Sequence, residues 1–222
     1  MKLKWIAALA LCATALPAAE APERLTAAAE ALKDVMGIPD KSIPQDLLTR
    51  SQCIVIVPGL KKAAFIIGAK YGKGFASCRR ANGVGWSAPG SVRVEGGSFG
   101  FQIGGTDTDV FMLVMNPKGM DRLLSTKFTL GADASVAAGP VGRSTQAETD
   151  AALTAEILTW SRQRGLFAGV SLSGATLRED DDWNQELYGK KLTNREIIRG
   201  NTAAPKGAGA LMTELNRYSS RK

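Results

Sequence analysis

Residues 95–105 read EGGSFGFQIGG, which interleaves five glycines with the bulkiest apolar side chains of the region. In a strand, Phe99, Phe101 and Ile103 alternate onto one face and leave Gly100, Gln102 and Gly104 on the other. One face is then expected to join a hydrophobic core. The bare face lets a second layer approach the backbone closely. The same stretch contains Gly96-Gly97-Ser98-Phe99-Gly100, a match to the G-x-S-x-G nucleophile elbow. That elbow needs a base for its serine and a helix directly after it. The chain has no histidine, and the alternation after Ser98 is that of a strand. No catalytic residue is assigned.

Period two extends well beyond this stretch. From Cys53 to about Asn116 the chain offers CIVIV, AAFIIGAKYG, GFASCR, GSVRVEGG, SFGFQIGG and TDVFMLVMN, with turn residues between them. DASVAAGPVG and LFAGVSLSGATL continue the strand pattern further on, while LTAEILTWSR between them fits helix or strand, the turn at Arg164-Gly165 favouring the strand. Helical spacing is confined to the flanks and a short interruption at 117–124. At the start, Leu25, Ala28, Ala29, Leu32 and Val35 share one face of a helix over 22–36. A second short helix begins near Pro44. DDDWNQELYG, LTNREIIRG and a segment from Gly207 to Tyr218 form the helical end. The expected fold is therefore α+β: a curved or barrel-like antiparallel sheet with flanking N- and C-terminal helices, in a single domain.

Residues 1–21 are expected to be a secretory signal peptide. Lys2 and Lys4 precede a short apolar run from Trp5 to Leu16, with small residues after Pro17. A lipoprotein reading through Cys12 places the large Leu11 where a small residue belongs, and is the weaker one. The mature domain is expected over 22–200, with a helical tail over 201–222, exported to the periplasm or cell envelope. Two cysteines then remain, Cys53 and Cys78. They are either a disulfide closing a loop of about 25 residues or two buried thiols, and an oxidising compartment favours the bond.

Other motifs dissolve on inspection. Gly83-Val84-Gly85-Trp86-Ser87-Ala88 fits a relaxed dinucleotide fingerprint, but Asn82-Gly83 reads as a hairpin turn and no helix follows. Asp180, Asp182 and Asn184 stand at the first three ligand positions of a calcium loop. Gln185 and Lys191 then occupy the places of its glycine and glutamate. These acids are better read as leading a helix, whose dipole favours them. Without histidine, a zinc site has almost no ligands to use. No metal or cofactor is expected. Nucleic acid is not an expected partner either, since no recognition motif is present.

The basic residues are more suggestive. Lys61 and Lys62 are expected in a turn after Pro58-Gly59, and Lys70, Lys73, Arg79 and Arg80 flank the next hairpin beside Tyr71 and Phe75. Gathered at one end of a sheet, they form a rim suited to anionic headgroups. A solvated rim, or one that meets an acidic envelope protein, fits the charge as well.

VPGLKKAAFIIGAKYGKGFASCR (57–79), GVGWSAPGSVRVEGGSFGFQIGG (83–105), GLFAGVSLSGATL (165–177) and LYGKKLTNREIIRG (187–200) occur in the order and spacing of the SYLF domain. The chain resembles that family over roughly residues 24–200, and in particular its stand-alone exported bacterial members. The resemblance implies a non-enzymatic lipid-binding module, whose eukaryotic relatives bind phosphoinositides and, in yeast actin-patch proteins, actin. Lys62 falls on a basic position of the family motif, so a lipid-contact role carries over to it best.

Overall fold

A computed structural model of the chain describes residues 21–39, 41–142, 154–163 and 165–219, with the backbone alone over 63–68 and 98–106. The proposed leader, the face of Phe99, Phe101 and Ile103, and the Ser98 side chain lie outside what is described. No described helix is long and apolar enough to cross a membrane.

Helix α1 (Ala21–Met36) buries Leu25, Ala28, Ala29, Leu32 and Val35, the stripe that its spacing predicts. Helix α2 (Gln45–Arg50) follows, with Pro44 as its N-cap residue. Two long strands come next, β1 (Cys53–Cys78) and β2 (Gly90–Val114). The six short strands of the sequence reading are thus two continuous ones. Glycines that resemble turn residues in sequence sit inside the ladder, where they let the pair bend. The pairing is antiparallel from Cys53↔Val114 to Ala76↔Gly90, with irregularities between Val57 and Leu60 and between Ala64 and Ile66.

After helix α3 (Pro117–Leu123), N-capped by Asn116, come the short strands β3 (Lys127–Thr129), β4 (Val136–Ala138), β5 (Ile157–Gln163), β6 (Leu166–Gly169) and β7 (Thr176–Glu179). The sheet runs β3-β7-β2-β5-β4, with β1 also on β2 and β6 also on β5. It is strongly curled, as expected, and antiparallel in every strand pair but one, the parallel β4–β5 pair, among the described residues. The strand expected over LFAGVSLSGATL divides into β6 and β7, with Gly174 at φ +80° between them. Helices α4 (Asp181–Tyr188), α5 (Asn194–Arg199) and α6 (Gly209–Ser219) close the chain. Thr193 and Glu196 form a capping box on α5.

The apolar run CIVIV feeds two cores. Ile54 and Ile56 face a core with α1, α2, α6, Phe75, Trp86 and Phe111. Cys53, Val55 and Val57 face a second core with α3, α5, Val92, Met112 and Leu177. A strand buried on both faces needs no polar alternation.

The β1–β2 ribbon coils back on itself. Cys53 and Cys78 are disulfide-bonded, with Cα atoms 3.9 Å apart, although they stand at opposite ends of one strand. Of the two readings of these cysteines the disulfide holds, as a clasp between the two ends of one strand. Gly72 and Gly74 make the crossing possible. A Cβ on Gly74 would lie 2.1 Å from the Ile56 carbonyl oxygen, and one on Gly72 would lie 2.9 Å from Val57 Cγ1.

Candidate functional site

The Pro58-Gly59 pair is a bulge in β1 and not a turn. Gly59 has φ +58°, and its N–H donates to Asp109 Oδ1 at 2.9 Å. Asp109 is held in turn by Arg162 through Nε at 3.0 Å and Nη2 at 2.7 Å, and Arg162 also reaches Asp34 of α1 at 2.7 Å. These two carboxylates hold the Arg162 guanidinium above its ordinary value, against the effect of its burial. The network anchors the bulge from which the basic segment departs.

Lys61 and Lys62 are consequently strand residues, opposite Asp107 and Thr106. Lys62 continues the face of Leu60, and Lys70 lies two residues before Gly72. A Cβ on Gly72 would lie 3.0 Å from Leu60 Cα, so Lys62 and Lys70 approach each other where the ribbon crosses itself. Burial and the nearby Lys70 ammonium together push the Lys62 ammonium below its ordinary value. No carboxylate forms an ion pair with Lys61, Lys62 or Lys70 among the described residues.

The other three basic residues go elsewhere. Lys73 pairs with Asp180 at 2.9 Å and lies over the Trp183 ring at 4.5 Å. Asp180 meanwhile N-caps α4 by accepting from Trp183 N, and Asn184 Oδ1 accepts from Ser91 N at 2.8 Å. Two residues of the calcium reading are thus committed to the fold. Arg79 is buried, stacks on Trp86 at 3.9 Å and donates to the carbonyls of Leu48 and Ser219. It ties α2 to α6. Arg80 is exposed, with Nε donating to Trp86 O at 3.0 Å, and opens on a different cleft. The six residues therefore form one close pair with Lys61 beside it, two fold contacts and one separate site.

Ser98 lies within β2, paired with Gly68, so the strand-to-helix elbow is absent at this serine. Arg80, Ala81, Asn82 and Gly83 make the turn of the β1–β2 connection, with Gly83 N donating to Arg80 O at 2.8 Å. Strand β2 follows it, where a dinucleotide site would need a helix.

Sequence reasoning missed a row of cations that runs across four strands. Register aligns Lys73 with Arg93, Arg93 with Arg178, and Arg178 with Lys127. Glu95 pairs with Arg93 at 2.6 Å and Arg178 at 3.6 Å, while Lys127 stands exposed at the sheet edge. The residues are dispersed between positions 73 and 178, and only the strand register reveals them.

Residues 95–218 match the family model described as "Ysc84: Las17-binding protein actin regulator". The chain belongs to the Ysc84 (SYLF) family. Relatives of the Ysc84 family member described here include the SH3 domain-containing protein PJ696.02 of Schizosaccharomyces pombe, 37% identical over 178 residues, or 78% of this chain and 41% of that one. Protein YSC84 of Saccharomyces cerevisiae is 33% identical over 79% of this chain and 38% of its own length. The human SH3 domain-containing YSC84-like protein 1 is 31% identical over 82% and 53%. The chain thus spans about half or less of the length of these Ysc84 relatives.

Proposed function

We propose that this domain is a non-enzymatic module that binds anionic lipid surfaces through the coiled β1–β2 ribbon, with Lys61, Lys62 and Lys70 contacting headgroups. The observation that carries the reading is the crossing of β1 at Gly72 and Leu60, which brings Lys62 toward Lys70 with no carboxylate ion-paired to either among the described residues. Such a pair is costly alone and favourable against a phosphate. The ribbon suits the task in composition too. Residues 96–108 of β2 are hydrogen-bonded to β1 alone among the described residues, since β7 takes 92–95 and β5 takes 109–114. The segment contains FGFQI opposite AAFII, apolar residues flanked by lysines. The Cys53–Cys78 bond supports export to an oxidising envelope compartment.

Co-sedimentation with neutral and anionic vesicles at low and high salt tests this. Binding to anionic vesicles alone, weakened by salt and by Lys62→Ala/Lys70→Ala, is the expected result. Equal binding by that variant sinks the assignment.

A second reading rests on the cation row. The matched family is described as Las17-binding and actin-regulating, so its members meet protein partners. In this chain, Lys127 on the edge strand and Arg178 on the strand beside it suit an acidic protein surface. Arg178→Ala/Lys127→Ala weakens capture of such a partner and leaves vesicle binding intact; the reverse pattern rejects the reading.

A further inference from the structure

A cleft of about 360 Å³ opens between the β1–β2 connection and the C-terminal end of α5. Its polar wall is formed by Arg80, Asn82, Arg199 and Thr202, and its floor by Ala88 and Ile197. No carboxylate lines it among the described residues.

The donors are arranged toward the open space. Arg80 uses Nε on the Trp86 carbonyl at 3.0 Å, which fixes the guanidinium plane and leaves its two terminal nitrogens for a ligand. Asn82 spends its side-chain oxygen on Val84 N at 3.1 Å, leaving its amide NH2 as a donor. Arg199 meets Asp121 at 3.9 Å, with both side chains largely exposed. That contact contributes little. The α5 carbonyls give this end of the helix a partial negative charge, which opposes an anion. The effect is blunted because Glu196 O already accepts from Gly200 N at 2.9 Å and from Thr202 Oγ1 at 3.1 Å. Asn201 at the rim has φ +53°, the one left-handed residue other than glycine among those described. It turns the chain sharply after Arg199, so that Thr202 closes the wall.

Two guanidinium groups, an amide donor and apolar residues line a cavity that has no carboxylate among the described residues. We infer that the Arg80/Arg199 cleft binds a phosphate-bearing group, held by paired arginine hydrogen bonds in a site separate from the Lys62–Lys70 surface. Its volume suits a small phosphate monoester or the headgroup of one lipid. Arginine recognises phosphate through paired, charge-assisted N–H···O bonds, and both sources of the group share that chemistry.

The test uses the full chain and two probes, glycerol phosphate by titration calorimetry and phosphatidylcholine vesicles with or without phosphatidic acid. Arg80→Gln and Arg199→Gln are each expected to weaken binding about tenfold, whereas Lys62→Ala/Lys70→Ala leaves glycerol phosphate binding unchanged. Arg199 is exposed at the end of its helix, so its variant keeps the fold even if Arg80→Gln disturbs the connection. Arginine-dependent binding of glycerol phosphate assigns a soluble monoester. Arginine-dependent binding of phosphatidic acid vesicles alone assigns the headgroup. Binding that neither arginine variant changes, or no binding of either probe, overturns the inference.

Discussion

Replacing Gly74 by alanine tests the crossing of the ribbon at its tightest point. The added Cβ would stand 2.1 Å from the Ile56 carbonyl oxygen and 2.7 Å from Val57 Cα. That is more than an ångström inside ordinary contact, and both neighbours are backbone in a strand buried on both faces. Neither can rotate away, and the Cys53–Cys78 bond limits separation of the two passes of β1. Overpacking in such a place costs about 3 kcal/mol, the upper part of its usual range. Alanine regains about 0.5–1 kcal/mol by restricting the unfolded chain. The net loss is about 2 kcal/mol, or about 4–8 °C in Tm for a chain of this size. Urea unfolding followed by far-UV circular dichroism measures it. Gly165→Ala is the control: it also forces a side chain into a left-handed site (φ +79°) but meets nothing within 4 Å. It is expected to cost only about 1 kcal/mol. If Gly74→Ala is as stable as the parent, β1 does not cross itself as described. The reasoning that brings Lys62 to Lys70 then falls with it.

Other outcomes follow from the same contacts. Arg79→Ala strips the Trp86 ring of its cation, removes the side-chain donor of the Ser219 carbonyl and leaves the Leu48 carbonyl to Ser51 Oγ, so it is expected to cost about 3 kcal/mol in urea unfolding. Burial raises the Glu179 carboxyl above its ordinary value, with Asp181 and Glu196 adding to this and the Asn194 N–H opposing it. A raised carboxyl contributes stability that is full below the unfolded value of 4.5 and is lost as pH rises through the folded value. Glu179→Gln should therefore flatten the stability–pH curve over that window, and an unchanged slope refutes the assignment. Lys62 is depressed, so its charged form costs stability below the folded value, and the cost is relieved as pH rises toward 10.5. Carbon NMR titration of Lys62 should show an upward shift in Lys70→Ala and on adding anionic vesicles; no shift in Lys70→Ala means that the two ammonium groups are not neighbours.

The period-two pattern made the strands legible, and CIVIV announced a segment buried on both faces. It did not disclose their continuity, because a glycine within a bent ladder and a glycine at a turn look alike in sequence. Gly72 and Gly74 differ from Gly83 in what stands above them, Val57, Leu60 and Ile56 against open space, and in backbone, since Gly83 alone of the three is left-handed at φ +76°. The site was legible in type and blurred in place. Lys62 was identified with its neighbours, yet Lys73 and Arg79 are drawn inward by Asp180, Trp183 and Trp86, partners that lie between 7 and 110 positions away in the chain. Arg199 escaped notice because its facing partner, Arg80, lies more than 100 residues earlier. Cation–π contacts and cavity walls are made by tertiary proximity, which carries no local spacing.

A protein with two hydrophobic cores would ordinarily be expected to melt in two steps. Here β1 and β2 lend alternate residues to both: Ile54, Ile56, Phe111 and Leu113 to one core, Val55, Val57, Val110 and Met112 to the other. Loosening either side frees the strands on which the other side is built. The sheet thus behaves as a shared wall, and a calorimetric scan should show one transition whose van't Hoff and calorimetric enthalpies agree.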